Sequence, residues 1–346
     1  MDKKRVLVAL SGGVDSSAAA LLLQEAGYLC DGAMLRLYTG TSESSIGDAR
    51  SVAQQLGMGF YVFDESDVFR RKVIEAFIAA YCTGLTPNPC LLCNRELKFG
   101  VLMDRALAMG YDYLATGHYA RVGYDDKSGK YQLLRGVDHR KDQSYVLYQL
   151  TQHQLSHLLL PIGEQDKAGV RALLERHSLS IAHKPESQDI CFIPDGDYVA
   201  FLQRSGVELT PGSFVDKDGH ILGQHRGLPC YTLGQGKGLG IALGRHVYVT
   251  GKDSARNTVT LGDNEELFSR ELTAHTVNWI SGDVPEAPFS CTAKTRYSQS
   301  EAACTVTPLP DDRIQVAFDT PQRAITPGQA VVLYQGDAVL GGGVIE

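Results

Sequence analysis

A glycine-rich turn between an apolar run and a helix-like run constrains this chain more than any other feature of its sequence. The turn, Ser-Gly-Gly-Val-Asp-Ser-Ser at residues 11–17, lies between the apolar residues 6–10 and the helix-like residues 18–26. A buried strand that turns directly into a helix leaves the first N–H groups of the helix without partners, and the helix dipole favours negative charge there. Gly12 and Gly13 allow a ligand to approach the backbone closely. The turn therefore predicts a phosphate-binding site.

The sequence of the turn separates it from other phosphate-binding loops. No G-x-x-x-x-G-K-[ST] sequence occurs in the chain, and no G-x-G-x-x-G sequence follows the first apolar run, which disfavours kinases and dehydrogenases. Ser16 or Ser17 adds a hydroxyl donor or a helix cap. S-G-G-x-D-S resembles the loop of the PP-loop ATP pyrophosphatases, which bind the β- and γ-phosphates of ATP and transfer AMP to oxygen. That resemblance implies that Asp15 helps to position Mg²⁺ and pyrophosphate; an ordinary glycine-containing turn is the alternative.

Length and composition are those of a globular protein with more than one domain. The 346 residues predict two or three domains, and 43% hydrophobic with 21% charged residues is typical of soluble proteins. No signal peptide follows the first residues, and no apolar run approaches the roughly 20 residues of a membrane helix. We expect a cytoplasmic protein with no membrane partner, in which most of the eight cysteines are buried thiols. A net charge of −7 argues weakly against nucleic-acid binding but leaves room for a local basic face.

Short apolar strands alternate with amphipathic helices over the first third of the chain, which predicts a parallel sheet covered on both faces. The predicted strands are residues 6–10, 33–37, 60–63 and 113–116. The predicted helices are residues 47–56, 68–81 and 95–109, with Gly57 and Gly110 as C-terminal caps. The fold class is therefore α/β with a doubly wound parallel sheet, whose ligand crevice is expected at the carboxyl ends of the strands.

Cys90 and Cys93 form a Cys-x-x-Cys motif in a proline-containing loop, residues 85–94, directly before a predicted helix. A thiol at a helix N-terminus usually has a lowered pKa and is available as a nucleophile or a metal ligand. The motif therefore predicts a second chemical site. A structural zinc site, which would need a second pair of ligands, and a pair of inert thiols are the alternatives.

The middle of the chain carries groups whose roles the residues alone leave open. A predicted hairpin at residues 119–124 and 131–135 is followed by a basic run that is either a solvated face or a substrate contact. The members of that run are Arg135, His139, Arg140 and Lys141. Residues 164–187 read as helical, and Cys191 follows in an apolar context typical of a buried thiol.

Beyond Gly206 the helix periodicity ends, and short β-runs separated by glycine take over. Residues 215–221 predict a hairpin, residues 234–240 a mobile or closely approached loop, and the strands from about residue 272 are spaced as in a small barrel. We expect a small β-rich central domain and a C-terminal β-barrel that serve in packing or binding. The predicted domains are residues 1–200, 206–265 and 270–346.

Seven motifs follow one another along the chain. They are the turn at residues 11–17, Asn-Pro-Cys-Leu-Leu-Cys-Asn at 88–94, Thr-Gly-His-Tyr-Ala-Arg at 116–121, Lys-Asp-Gln-Ser-Tyr at 141–145, Ser-Gln-Asp-Ile-Cys-Phe at 187–192, the glycine loop at 234–240 and Thr-Pro-Gly-Gln at 326–329. In this order they resemble the tRNA-specific 2-thiouridylase family over nearly the whole chain. Members of that family modify C2 of the wobble uridine in the tRNAs for lysine, glutamate and glutamine. The resemblance implies an enzyme with that ATP-dependent activity.

The resemblance also implies roles for individual residues in catalysis. ATP adenylates O2 of the uridine, and Asp15 acts with Mg²⁺. The implied ATP-binding residues are Ala9, Leu10, Ser11, Gly12, Gly13, Val14, Asp15, Ser16, Met34 and Gly117. Sulfur arrives as a persulfide on Cys191, Cys93 acts as the nucleophile, and the two cysteines end as a disulfide.

For tRNA, the resemblance assigns three residues to the target base: Asn88, Pro89 and Cys90. It assigns further RNA contacts to His118, Lys141, Asp142, Gln143, Arg296, Tyr297 and Gln329. An extruded anticodon base needs a pocket that reads its edge, with basic and aromatic groups around it. Besides tRNA, the implied partner is a sulfur-donor protein, either a persulfide relay or a cysteine desulfurase.

Two positions depart from the family pattern. Many members have aspartate where this chain has Cys90. Three cysteines, Cys90, Cys93 and Cys191, offer a set of thiolates for a [4Fe-4S] cluster, which is the alternative to the persulfide route. Gly236 stands where members often have arginine, which removes one expected phosphate contact.

Two other functions compete with this assignment. A PP-loop amidoligase would adenylate a small carboxylate and would need no reactive thiol. An RNA-binding or scaffold protein with a vestigial nucleotide fold would release neither AMP nor diphosphate in the presence of tRNA. Substitution of the two cysteines and measurement of diphosphate release distinguish these functions.

Overall fold

A computed structural model describes residues 3–38, 43–184 and 190–346. The strands are β1 Arg5–Ala9, β2 Leu29–Arg36, β3 Phe60–Asp64, β4 Tyr113–Ala115, β5 Ala120–Asp125, β6 Lys130–Arg135, β7 Leu158–Leu159, β8 Gly212–Val215, β9 Ile221–His225, β10 Tyr248–Asp253, β11 Thr258–Gly262, β12 Phe268–Trp279, β13 Phe289–Lys294, β14 Ala302–Leu309, β15 Arg313–Arg323, β16 Ala330–Gln335 and β17 Ala338–Ile345. The α-helices are α1 Val14–Glu25, α2 Glu43–Gln55, α3 Ser66–Phe69, α4 Glu75–Cys82, α5 Pro89–Leu92, α6 Met103–Ala108, α7 Gln152–Ser156, α8 Lys167–Arg176 and α9 Tyr198–Arg204. The π-helical segments Arg70–Ile74 and Cys93–Leu102 join α3 to α4 and α5 to α6. In the part of the chain described, no helix has the length and apolarity to span a bilayer.

The first domain is built on a parallel sheet with the strand order β3-β2-β1-β4-β7. Strand β1 is central: its Val6, Leu7 and Val8 are fully buried, and it pairs with β2 on one side and β4 on the other. The chain passes from β1 to β2 and β3 on one side of β1, and then crosses to β4 on the other side. The carboxyl ends of β1 and β4 therefore form a topological switch point. The predicted fold class is confirmed, and the glycine turn and Gly117 both lie at that point.

Several element boundaries differ from those predicted. Residues 164–187 are not one helix, because α8 ends at Arg176 and Ser178 takes the left-handed φ of +55°. A 3₁₀ turn, Ser180–His183, follows, and residues 185–187 lie outside the described residues. The helix predicted at 95–109 begins earlier, at Pro89, which places the Cys-x-x-Cys motif inside it.

Two β-structures follow the first domain, as predicted. The central sheet has the order β10-β11-β8-β9, and β8 with β9 forms the predicted hairpin. Strands β12-β15-β14-β13-β16-β17 close into a six-stranded barrel through the pairing of β12 with β17. In the glycine loop, a Cβ on Gly236 would lie 2.7 Å from the ring of Tyr248, so the loop is closely approached.

The predicted hairpin, β5 with β6, belongs to the barrel sheet and not to the parallel sheet. Strand β6 pairs with β17, with Leu134 opposite Ala338 and Leu133 opposite Val339. Leu133 is fully buried in a cluster with Tyr334. The first domain therefore extends a two-stranded arm that fixes the barrel against it.

Arg135 at the end of that arm is a structural residue, so its interpretation as a substrate contact is wrong. Its Nη1 and Nη2 donate to the two carboxylate oxygens of Glu301, each at 2.5 Å. Its guanidinium lies 4.1 Å from the centroid of the Tyr334 ring, and Thr292 Oγ1 donates to Glu301 at 2.5 Å. A buried, bidentate pair of this kind fixes orientation because both ends of the fork are used.

We expect Arg135→Met to lower the free energy of unfolding by about 3 kcal/mol, because it leaves the Glu301 carboxylate without its partner. Urea unfolding measures the change. Lys130→Met is the matched control on the same strand, since Lys130 pairs with the exposed Asp283 and a surface pair contributes at most about 1 kcal/mol. The double variant Arg135→Met/Glu301→Gln should regain part of the lost free energy of unfolding, because the unpaired carboxylate is removed. Equal destabilisation by Arg135→Met and Lys130→Met would contradict the assignment.

Candidate active site

The glycine turn between β1 and α1 has the backbone geometry of an anion-binding loop. Gly12 has a φ of +68°, and Gly13 is the N-cap of α1, so no side chain caps the helix. The N–H groups of the first helical turn are therefore left for a ligand. Ser16 Oγ accepts from Ser11 N at 3.1 Å, and Ser17 Oγ donates to the Gly13 carbonyl at 2.8 Å. These hydroxyls hold the turn together, so the prediction that one of them caps the helix is wrong.

The other residues implied in ATP binding surround the turn. Ala9 ends β1, and Leu10 follows it with its N–H donating to the Ala33 carbonyl at 2.8 Å. Val14 is buried in the cluster between α1 and α8, and Met34, near the carboxyl end of β2, is 7% exposed. All of these residues lie at the edge of the sheet where the strands end and the ligand crevice is expected, but Met34 and Val14 expose little surface there.

Gly117 follows β4 and lies against the first turn of α1. A Cβ atom on Gly117 would lie 2.6 Å from both Asp15 C and Ser16 N, closer than side chains approach a backbone. Gly12 is confined in the same way, since its Cβ would lie 2.6 Å from the Ser45 carbonyl oxygen in α2. Glycine at these two positions lets β4, α1 and α2 meet around the turn.

We expect Gly117→Ala to weaken ATP binding by about tenfold, because the new methyl group displaces the first turn of α1 and the N–H groups that receive phosphate. Calorimetric titration with ATP measures the affinity. Gly47→Ala is the matched control: Gly47 lies in α2, nothing lies within 4 Å of its Cβ position, and alanine stabilises a helix by about 0.5–1 kcal/mol. ATP affinities that are equal in the two variants would contradict the packing role of Gly117.

Asp15 lies in the first turn of α1, and side chains from two other segments hold its carboxylate. Tyr119 OH donates to Asp15 Oδ1 at 2.9 Å, and Lys167 Nζ donates to the same oxygen at 2.6 Å. The Lys167 ammonium also lies 5.5 Å from the centroid of the Tyr119 ring. These contacts fix the orientation of the carboxylate, whose oxygens are of the kind that Mg²⁺ prefers.

A second lysine, which the sequence did not point to, lies against the turn. Lys184 Nζ donates to the Gly12 carbonyl at 2.7 Å and to Asp48 Oδ2 at 2.6 Å. Lys167 and Lys184 are 152 and 172 positions from Asp15 and Gly12, so no local pattern connects them. Two ammonium groups beside a helix N-terminus add positive charge where an anion is already favoured.

The Cys-x-x-Cys motif lies at the start of a helical segment. Asn88 is the N-cap of α5 and accepts from Cys90 N at 3.1 Å, and Pro89 occupies the first helical position, where a missing N–H costs nothing. Cys90 is exposed, whereas Cys93 is buried where α5 passes into the π-helical segment. Since residues three apart are neighbours on a helix, two cysteines of opposite exposure lie side by side.

The pKa of Cys93 is raised, so the prediction of a thiol activated by the helix N-terminus is wrong. Burial is the main cause; Lys98 opposes it and Cys90 adds to it. A helix dipole contributes about 0.3–1 kcal/mol at its terminus, whereas a fully buried group shifts by up to several pKa units. At Cys93 the effect of burial therefore exceeds that of the helix dipole.

Cys191 belongs to the same corner of the molecule. Burial raises the pKa of the Cys191 thiol to about 12, the neighbouring Cys93 and Cys90 raise it further, and Lys98 lowers it. Cys191 is nevertheless an exposed residue. Its thiol is therefore partly desolvated by its neighbours, while the residue stays accessible from solvent. Residues 187–189 of the predicted motif lie outside the described residues. We call Cys90, Cys93, Cys191 and Lys98 the thiol corner.

Aromatic packing holds the Cys191 segment against the helix that carries Cys93. Phe192 is buried, with its ring centroid 5.7 Å from that of Phe69 and 5.4 Å from that of Phe77. Cys93 packs in the same apolar cluster. Two cysteines far apart in the sequence are therefore brought together by the core beneath them.

A short path of contacts joins the thiol corner to the glycine turn. His118 follows Gly117 directly; its Nδ1 shares a hydrogen bond of 2.6 Å with Thr116 Oγ1, and its ring centroid lies 5.8 Å from that of Phe99. Burial, assisted by the charge of Lys98, holds the pKa of His118 well below its usual value. Lys98 therefore lies close enough to His118 and to the thiols to interact electrostatically with both.

The donor sets present distinguish between the proposed metals. Among the described residues, the group of three or more histidine, cysteine or acidic ligands with atoms within 4.8 Å of one another is Asp216, Asp218 and His220, on an exposed turn. Cys90 and Cys93 thus lack a third ligand at the spacing of a single zinc ion. Cys90, Cys93 and Cys191 interact electrostatically but, in the part of the chain described, do not meet that spacing either.

Two barrel residues implied in tRNA binding lie beside the Cys90 loop. Gln329 Nε2 donates to the Thr86 carbonyl at 2.7 Å, near the start of the loop at residues 85–94. The ring centroid of the exposed Tyr297 lies 6.1 Å from that of Tyr145. Partial burial raises the pKa of Tyr297, and the nearby Asp142 and Cys90 add to the shift. The barrel and the first domain therefore contribute to one surface.

The remaining implied contacts use their side chains within the protein. Arg296 Nη2 donates to the Leu233 and Ala324 carbonyls and to Thr326 Oγ1, at 3.1, 3.0 and 2.5 Å. The buried carboxylate of Asp142 accepts from the backbone N–H groups of residues 136 and 144 and from a serine hydroxyl, at 2.8–3.1 Å. Gln143 Oε1 accepts from the backbone N–H of residue 119 at 3.0 Å. Asp142 and Gln143 thus shape the turn that presents the half-buried Lys141.

The parallel sheet, the glycine turn at its switch point and the flanking carboxylate define the chain as an enzyme of the PP-loop class of α/β proteins. Three family descriptions match it in succession: "tRNA methyl transferase HUP domain" over residues 4–195, "tRNA methyl transferase PRC-barrel domain" over 199–263 and "Aminomethyltransferase beta-barrel domain" over 269–345.

Curated relatives narrow the class to one family. The tRNA-specific 2-thiouridylases MnmA of Acetivibrio thermocellus, Carboxydothermus hydrogenoformans and Moorella thermoacetica are 50%, 50% and 51% identical to this chain. The alignments cover 100%, 99% and 98% of this chain and 100%, 98% and 99% of those relatives. The chain therefore belongs to the tRNA-specific 2-thiouridylase family, which confirms the predicted resemblance. A solved 4-thiouridine synthetase–RNA complex with bound ATP is 14% identical, with a TM-score of 0.37 over 58% of this chain and 50% of that chain, too little overlap for any argument.

Proposed function

We propose that this chain is an ATP-dependent tRNA-uridine 2-sulfurtransferase that thiolates the wobble uridine of the tRNAs for lysine, glutamate and glutamine. Two observations support the proposal: Gly117 packs against the glycine turn while the next residue, His118, interacts electrostatically with Lys98, and Lys98 also interacts with Cys93 and Cys191. Adenylation supplies an electrophile that an unactivated carbonyl lacks, and thiols supply the nucleophile. Relatives that match over their full length carry the name of this activity.

In the first half-reaction, the uridine O2 attacks the α-phosphorus of ATP and diphosphate leaves. The first N–H groups of α1 bind the diphosphate, and the ammonium groups of Lys167 and Lys184 offset its charge from beside the turn. Asp15, held by Tyr119 and Lys167, is the residue that would hold Mg²⁺. When bound, that ion neutralises charge on the phosphates.

In the second half-reaction, the outer sulfur of a persulfide on Cys191 attacks C2 of the adenylated uridine, and AMP leaves. The Cys93 thiolate then attacks the inner sulfur, so the outer sulfur stays on C2 as the thiocarbonyl and a Cys93–Cys191 disulfide forms. Two electrons from a reductant must open this disulfide before the next turnover. The exposed Cys191 can meet a sulfur-donor protein, whereas the buried Cys93 only has to resolve the intermediate.

The tRNA-binding surface combines the Cys90 loop with the barrel. Tyr297 offers an exposed aromatic face on which a base stacks. The three domains, 1–200, 206–265 and 270–346, and the cytoplasmic location stay predictions.

Cys90 keeps the cluster route open as the alternative. It shares the thiol corner with Cys93 and Cys191, and each of the other two thiols is affected electrostatically by it. These three thiolates would hold three irons of a [4Fe-4S] cluster, whose fourth iron supplies a site for sulfide when the cluster is bound. The persulfide route needs only Cys93 and Cys191.

Anaerobic reconstitution with ATP, sulfide and unmodified tRNA tests the function and both routes. We expect diphosphate release that depends on tRNA, together with 2-thiouridine in the nucleoside mass spectrum of the digested tRNA. Cys90→Ala distinguishes the routes, because it spares a persulfide relay and disables a cluster. The proposed function is wrong if tRNA causes no diphosphate release. A PP-loop amidoligase would instead keep its turnover when both Cys93 and Cys191 are replaced.

We expect the reaction of Cys191 with iodoacetamide to accelerate about tenfold per pH unit from pH 7 to pH 10, without a plateau. Burial raises the pKa of Cys191 to about 12, so the reactive thiolate is scarce at neutral pH and its fraction grows with pH up to that value. Peptide mass spectrometry of pulse-labelled protein measures the rate at each pH. A plateau below pH 9 would show that the thiol is not desolvated in solution.

A further inference from the structure

Two cysteines outside the active site face each other across the barrel hairpin β13–β14. Cys291 and Cys304 are direct partners in the antiparallel register. Their Sγ atoms are 3.7 Å apart, although the residues are 13 positions apart in the sequence. Cys304 is buried in the barrel core, and Cys291 is half-buried beside it. Neither thiol has a part in the sulfur transfer proposed above.

The geometry of this pair is that of a disulfide before bond formation. Residues directly opposite in an antiparallel pair have Cα atoms about 4.5–5.5 Å apart, within the range of about 4.4–6.8 Å that disulfides span. Both side chains lie on one face of the hairpin, because register partners point to the same side. The sulfur atoms must approach from 3.7 Å to about 2.05 Å, which rotation of the side chains achieves while the strands stay paired.

We propose that Cys291 and Cys304 are a modification site at which a peroxide forms a reversible disulfide across the base of the β13–β14 hairpin. One thiolate attacks a peroxide oxygen, which gives a sulfenic acid and releases the other oxygen as water. The second thiol attacks the sulfenic sulfur, and a second water leaves. Both thiols lose their hydrogen atoms, the pair is oxidised by two electrons, and the peroxide is reduced by two.

The contacts of the pair favour this reaction. The two thiols share a hydrogen bond in which either sulfur can be the donor. Whichever thiol is oxidised first, the other is already in place to resolve the sulfenic acid. The half-buried Cys291 also marks the side from which a small oxidant reaches the pair.

The position of the disulfide determines its consequence. The segment that connects β13 to β14 carries Arg296 and Tyr297, and it ends at Glu301, the partner of Arg135. A crosslink between residues 291 and 304 closes this segment at its base. Oxidation therefore ties the loop that carries the proposed tRNA contacts to the barrel, and it stabilises the barrel against unfolding.

Peptide mapping of the full-length protein tests the proposal. The reduced protein is treated with hydrogen peroxide, the remaining thiols are alkylated, and the digest is analysed without reduction. We expect a linked Cys291–Cys304 peptide pair that is lighter by two hydrogen atoms and disappears on treatment with a reductant. It should exceed any crosslink of the isolated thiols Cys30 and Cys230 by about tenfold. The sequences of the linked peptides distinguish this pair from a Cys93–Cys191 disulfide.

Cys291→Ser supplies the matched control. It should remove the crosslink, leave Cys304 open to alkylation and keep tRNA thiolation at the wild-type rate. In the wild type, peroxide should raise the melting temperature by about 2–4 °C, and this rise should be missing in Cys291→Ser. Full alkylation of both cysteines, at a peroxide dose that links Cys93 to Cys191, would overturn the proposal. An equal shift in melting temperature in both proteins would also overturn it.

Discussion

Cys93→Ser and Cys191→Ser each lower 2-thiouridine formation by at least about a thousandfold, while tRNA-dependent release of diphosphate persists. The two halves of the reaction use different groups. In the proposed mechanism, adenylation depends on the glycine turn and its lysines, whereas sulfur transfer depends on Cys191 and on Cys93, which packs in an aromatic cluster. A single-turnover assay that measures diphosphate and thiolated nucleoside in the same sample shows the separation directly.

Cys82→Ser is the matched control for this prediction. Cys82 is exposed, as Cys191 is, and it lies at the end of α4, outside the thiol corner. We expect the Cys82→Ser variant to form 2-thiouridine at the wild-type rate. Thiolation at the wild-type rate in Cys191→Ser would disprove the relay, and loss of diphosphate release in either active-site variant would show that the thiols also support adenylation.

The strand–turn–helix unit at the start of the chain was predictable because its determinants are local. Residues 6–17 contain the buried strand, the two glycines and the helix start within one stretch, and each follows from the chemistry of adjacent residues. The same holds for the β5–β6 hairpin and for the strands of the barrel. Alternation of apolar residues predicts such elements without knowledge of what they pack against.

What surrounds the turn was not predictable, because it comes from distant segments. Lys167, Lys184 and Tyr119 contact residues 12 and 15 from more than 100 positions away. For Arg135, the local sequence predicted the wrong role. It lies in a basic run that favours a surface role, yet the strand pairing of β6 with β17 buries it against Glu301.

The thiols show why a local rule fails when burial opposes it. The position of Cys93 near a helix start predicts a lowered pKa, and the structure raises it by packing the sulfur among aromatic side chains. The effect of distant residues that bury Cys93 therefore exceeds the local effect of the helix start.

Asp15→Ala lowers tRNA-dependent diphosphate release by about 10²–10³-fold and leaves tRNA affinity within about twofold. The substitution removes the carboxylate that Tyr119 and Lys167 orient at the start of α1, and it leaves the Lys167 ammonium without that partner. Diphosphate release measured at saturating ATP, together with filter binding of tRNA, separates the chemical step from recognition of the substrate.

Asp67→Ala is the matched control, because Asp67 is also an aspartate at the second position of a helix, α3, and is exposed. Both substitutions remove a favourable interaction with a helix dipole, which contributes about 0.3–1 kcal/mol to stability. Only Asp15 lies at the switch point, so only its loss should affect turnover. The rate of diphosphate release in Tyr119→Phe should lie between the rates in Asp15→Ala and Asp67→Ala. This substitution keeps the bond from Lys167 to Asp15 Oδ1 and removes the bond from the Tyr119 hydroxyl, so the carboxylate loses one of the two bonds that orient it. Unchanged diphosphate release in Asp15→Ala would place the adenylating site elsewhere on the chain.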